Sequence, residues 1–121
     1  MKFVLTSTHR YWWPVKVSIP DPDPSRAGEY LEMEFKMQFD SLPRDEADKV
    51  AELMRASSDN TYADLKRVSR DWDENVVDEN GKPIPFSAEA FEELLRISWY
   101  RLAVYRAWGA SLVDEKARLG N

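Results

Sequence analysis

The chain has 121 residues, a formal charge of −5, 43% hydrophobic and 32% charged residues, and no cysteine. That is the composition and length of one ordinary globular domain, long enough to bury roughly two-thirds of its unfolded surface. Disulfides, thiolate nucleophiles and cysteine-ligated metals are excluded, and a pI near 4.9 argues against general nucleic-acid binding, because phosphates would be repelled.

Residues 3–19 carry the first strand signal, in which Val15, Val17 and Ile19 alternate with Lys16 and Ser18. Pro14 cannot donate to a ladder, so this strand starts there or lies at an edge. Three prolines and a glycine between Pro20 and Gly28 forbid helix and central strand and make a connecting loop. Over residues 29–39, Leu31, Met33, Phe35, Met37 and Phe39 fall on one face, and Glu32, Glu34, Lys36 and Gln38 on the other. A strand with one buried and one wet face follows, paired antiparallel with residues 11–19. A two-stranded ribbon is marginal alone, so helices must cover its apolar face.

Ser41-Leu42-Pro43 opens a helical pair over 42–72. Proline suits a first turn, and Asp45, Glu46 and Asp48 suit the positive end of a helix dipole. Ala47, Val50, Leu53 and Met54 form the inward stripe of the first helix. Asp59 or Asn60 caps the second, whose face is Tyr62, Leu65, Val68 and Trp72. Residues 73–86 make a hairpin-like connection around Asn80-Gly81, two residues that tolerate positive φ. Ser87 caps a helix with Phe91, Leu94 and Leu95 on its apolar face, and Ile97-Ser98 is a joint or a new cap. The C-terminal helices occupy 87–113, and 114–121 is a frayed tail.

From Leu94 to Val113 the chain holds Arg96, Arg101 and Arg106 and no acid, with apolar side chains pointing all round at about 100° per residue. Such a helix needs cover on several sides. Trp99, Leu102, Val104, Tyr105 and Trp108 serve as core, or part of the helix meets a partner, and both can hold at once. Trp99, Tyr100, Arg101, Val104, Tyr105 and Trp108 are the candidate contact residues. Met33 and Met37, with their soft side chains, come second.

Other chemistry is sparse. His9 is the sole histidine and offers neither a metal cluster nor a triad. Asp71-Trp72-Asp73-Glu74-Asn75 starts like a calcium loop but has Val76 where glycine is needed and Lys82 where a bidentate glutamate is needed. All four glycines are isolated, so there is no phosphate-binding loop. No catalytic residue, metal site or cofactor is expected. The N-terminal apolar run is too short for a signal peptide, and no run reaches the ~20 residues that span a bilayer, which reads as cytoplasmic. The fold expected is α+β: a small antiparallel sheet of two or more strands near the N-terminus, packed against three to five helices in a single domain, 1–121.

Several segments in their order resemble the tail assembly chaperones of long-tailed bacteriophages and prophages. They are Tyr11-Trp12-Trp13-Pro14-Val15, Leu42-Pro43-Arg44-Asp45-Glu46, Trp72-Asp73, the run from Val76 to Ser87, and Trp99-Tyr100-Arg101. The resemblance covers most of the chain, and Val76–Ser87 carries most of its weight. It implies a non-enzymatic protein that binds the aggregation-prone tape measure protein during tail assembly, with tail-tube subunits as a second partner. Nucleic acid and membrane are not implied partners, and self-association stays open. It carries over no catalytic or fixed contact motif. The alternatives are an acidic inhibitor that mimics nucleic acid through Asp71, Asp73, Glu74, Asp78 and Glu79, a structural head or tail component, or a small hydrolase using two acids.

Overall fold

The computed structural model describes residues 1–6, 8–41 and 65–113. The helix expected around Ala47–Met54, the cap at Asp59 or Asn60, Tyr62 and the tail 114–121 lie outside them. Strand β1 (Arg10–Pro20) pairs antiparallel with β2 (Tyr30–Asp40) in an unbroken register from Arg10↔Asp40 to Pro20↔Tyr30. A third strand, β3 (Ser69–Trp72), adds to the other side of β2, giving the order β1-β2-β3. Two helices follow, α1 (Ala88–Leu95) and α2 (Ser98–Ser111). Residues 65–68 are also helical. The architecture is α+β, with its sheet near the N-terminus.

The ribbon follows its alternation. Val15, Val17, Phe35, Met37 and Phe39 face the core, while Lys16, Ser18, Glu34 and Lys36 face water. The proline loop is stapled as well as bent. Asp21 accepts from the Asp23 backbone N–H at 2.9 Å and from Arg26 Nε at 2.7 Å, and Asp23 caps the 3-10 turn Pro24–Arg26. These bonds close the loop without a flexible tip.

Two expectations need correction. The first strand begins at Arg10, not near residue 3. The helical reading also fails over 69–72, where the chain is strand. There Phe39 pairs with Ser69 and Gln38 with Asp71, so Arg70 is the extra residue of a bulge. The bulge leaves Ser69 and Trp72 facing inward three residues apart, a spacing that imitates a helix. It also turns Arg70 outward, where its Nε lies 2.6 Å from Asp40.

Trp72 anchors the following connection. Its Nε1 donates to the Ile84 carbonyl at 2.6 Å, and its ring meets Phe86 and Phe91 edge-on, with centroids 5.0 and 6.3 Å away. Between them, Val77 bridges Pro83 and the Ile84 N–H returns to the Val76 carbonyl, a short hairpin-like loop as expected. Its turn runs Asp78–Gly81, and only Gly81 takes positive φ, at +80°. Asp78 fixes the turn by accepting from the N–H groups of Asn80 and Lys82. Ser87 caps α1 through the Ala90 N–H at 3.0 Å.

Helix α2 lies across β1 and buries Ala103, Val104, Ala107 and Trp108 in the core with Leu65, Val68, Phe91 and Leu95. Each large apolar side chain sealed there contributes about 1.5–3 kcal/mol. Tyr11 Oη and Ser111 Oγ, 2.7 Å apart, tie the end of α2 to the start of β1. Burial pushes the Tyr11 phenol above its ordinary value, with the Ser111 bond acting the other way.

Candidate functional site

The acid-free helix divides its residues between two faces. Val104 and Trp108 are buried, so they belong to the core and not to a contact surface. Met37 is fully buried in the same core and is corrected likewise. Tyr100, Arg101 and Tyr105 sit half-buried at the border. Arg101 reaches back to the Leu95 carbonyl at 3.4 Å. Trp99 is 49% exposed, and Leu102, one turn on, is 43% exposed. Ile97 precedes them, while Leu112 and Val113 extend the open apolar surface past the helix end. Ile97 is also the residue preceding α2, where it makes no side-chain cap.

A second apolar surface lies on the ribbon. Toward the proline loop the inward stripe of β1 and β2 is only partly covered. Met33 is 45% and Leu31 39% exposed, and Ile19 is only partly buried. Beside them is a groove of about 220 Å³ whose lining includes Val17, Met33, Phe35, Val77, Leu94 and Tyr100. Tyr100 therefore joins the start of α2 to the distal ribbon. Of the eight candidate contact residues, Met33 and Trp99 remain exposed, with Tyr100, Arg101 and Tyr105 half-covered. Leu31, Val77, Ile97 and Leu102 are accessible residues that the sequence reading did not select. The continuous stripe of β2 marked Leu31 as apolar, but the stripe does not say where the covering layer stops.

Asp40, Asp71, Asp73 and Asp78 have structural partners. Asp73 Oδ1 accepts from the Lys36 N–H at 3.2 Å, while the Asp73 N–H donates to the Lys36 carbonyl at 3.0 Å. One residue thus extends the β2 ladder with both its backbone and its side chain. Asp71 accepts from the Trp72 N–H, and Asp78 holds its own turn. Asp40 accepts from Arg10 Nε at 2.7 Å and Arg70 Nε at 2.6 Å, and these bonds hold its carboxyl down at about 2. A carboxyl held there cannot act as a general acid near neutrality. His9 stacks on Tyr11 with centroids 5.7 Å apart, and its N–H donates to Ser41 Oγ. Among the described residues, no three of His, Asp and Glu are grouped to hold a metal ion, and no helix is long and apolar enough to cross a membrane.

Compared with known protein families, with curated proteins and with solved structures, the chain matches none.

Proposed function

We propose that the protein is a non-enzymatic tail assembly chaperone of a long-tailed phage or prophage. It would bind the tape measure protein in the host cytoplasm and keep it soluble, from a small sheet covered by three to five helices. The observation that carries this reading is the placement of exposed apolar side chains. Trp99, Leu102, Met33 and Leu31 stand open on a chain at −5, and Tyr100 and a 220 Å³ groove lie among them. A holder of amphipathic helices needs an adaptable apolar surface, here with methionine and aromatic side chains, on a charged and soluble body. The resemblance across Tyr11–Val15, Val76–Ser87 and Trp99–Arg101 supplies the biological setting.

The Val76–Ser87 run folds into the turn pinned on Trp72, so most of it supports the fold around the surface, while Val76 and Val77 line the groove itself. The test is co-expression with a candidate tape measure protein, followed by pull-down. The wild-type chain is expected to keep that protein soluble and to retain it. The double variant Trp99→Glu, Leu102→Glu changes two exposed residues, so it is expected to keep its circular dichroism while losing capture. A tape measure protein that stays insoluble with the wild-type chain, or full capture by the folded double variant, refutes the proposal.

A further inference from the structure

Among the described residues strand β1 forms one border of the sheet, and the register shows which of its backbone groups do not bond to β2. The His9 carbonyl accepts from the Ser41 N–H at 2.8 Å, and the Asp21 N–H donates to the Glu29 carbonyl at 2.9 Å. With the unbroken pairing between, the odd-numbered residues of β1 bond to β2. Trp12, Pro14, Lys16 and Ser18 therefore aim their backbone groups outward. Pro14 falls on this outward set, where its missing N–H costs the ladder nothing and blunts the edge at one point. Lys16 and Ser18 beyond it offer two complete donor–acceptor pairs in succession.

Alongside this edge runs a groove of about 330 Å³, lined by Trp13, Pro14, Lys16, Ala103, Arg106, Ala107 and Ala110. The small side chains keep the flank of α2 low where a further strand would lie. Among the described residues the groove lining holds Lys16 and Arg106 and no carboxylate, in a chain at −5. Lys16 and Arg106, on opposite flanks of the groove, form no ion pair among the described residues, and Lys36 sits opposite Pro14 on the water-facing side. Glu34 lies opposite Lys16 in the register without pairing to it.

We infer that this groove binds an extended acidic peptide, which adds to β1 as a fourth strand. Backbone bonds to Lys16 and Ser18 supply the register. Acidic side chains alternating above and below the strand meet Lys16 on one face and Arg106 on the other. A second copy docking edge to edge would set Lys16 and Arg106 against their own counterparts, which like-charge repulsion disfavours. This groove shares no lining residue with the apolar groove beside Met33 and Tyr100, and the inference does not depend on the chaperone reading.

The probe is a fluorescein-labelled octapeptide, Glu-Glu-Val-Val-Glu-Glu-Val-Val, which places glutamates on both faces of a strand, titrated against the full chain by fluorescence anisotropy. Saturable binding is expected, weakening roughly tenfold as salt rises from about 0.05 M to about 0.5 M. The double variant Lys16→Glu, Arg106→Glu alters two exposed side chains and is expected to fold and to lose binding by at least about tenfold. Methylating alternate backbone nitrogens of the peptide keeps its charge but removes its ladder donors, and is expected to abolish binding. In amide spectra, peptide should protect the N–H groups of Lys16 and Ser18. The inference is overturned if the methylated peptide, a lysine–valine counterpart or inorganic polyphosphate binds as well as the probe. It is equally overturned if the probe does not bind, or if sedimentation shows a second copy already closing this edge.

Discussion

Two buried tryptophans are held in opposite ways, and the same substitution at each separates packing from hydrogen bonding. Trp72 donates its indole N–H to Ile84 at 2.6 Å. The Nε1 of Trp108 is buried without a hydrogen-bond partner. Phenylalanine removes a similar volume at both positions, so the cavity costs largely cancel in the comparison. At Trp72 the change also strips the part-buried Ile84 carbonyl of its donor, a further ~1 kcal/mol. At Trp108 it deletes a donor whose unpaired burial already costs at least about 1 kcal/mol, so that much is recovered. Trp72→Phe should therefore cost about 2 kcal/mol more than Trp108→Phe. That gap is large against a domain stability of ~5–15 kcal/mol, and equals roughly 6–10 °C in Tm. Urea unfolding followed by far-ultraviolet circular dichroism measures both variants on one scale. Equal losses, or a larger loss at Trp108, would show that the indole nitrogens do not decide the difference.

Stability should fall in acid through Asp40. Its carboxyl is held at about 2 by Arg10 and Arg70 against an ordinary 3.8, so its contribution is complete above about pH 4 and disappears as pH falls through about 2. A shift of that size is worth at most ~2.5 kcal/mol, and the two arginines are about half exposed, so solvent screening leaves about 1 kcal/mol. Asp40→Asn should lower stability by that amount at pH 7 and match wild type below pH 2; parallel acid limbs in urea unfolding would contradict this. Gly109→Ala and Gly81→Ala should have opposite signs in the same assay. A Cβ meets nothing within 4 Å at either position, so alanine at 109 gains up to about 1 kcal/mol of helix propensity, while at 81 it meets backbone strain at φ +80° and loses about as much. Ser87→Ala should cost about 1 kcal/mol by freeing the Ala90 N–H, and an unchanged midpoint would mean the cap is idle.

Much of the architecture is local and was therefore legible in the residues. The alternation from Leu31 to Phe39 sets which face of β2 turns inward, the three prolines force the chain to reverse, and Ser87 starts α1 where a capping serine should. The strand at Ser69–Trp72 was not legible, because its bulge spaces the inward residues as a helix would. Periodicity records which side chains share a face, and two different backbones here produce the same record.

The candidate site depends on a relation no single element contains. Met33 and Met37 occupy the same stripe of one strand, yet one is open and the other sealed. Trp99 and Trp108 lie on one helix with the same division. By itself the sequence determined that α2 is apolar, aromatic and basic and must be covered on more than one side. Tertiary structure decided that β1 and the core take the Val104–Trp108 face, and that Leu31 and Met33 near the proline loop stay exposed. The physical reason is that burial depends on what stands opposite a side chain, and the position of that opposing layer is set by packing between distant segments.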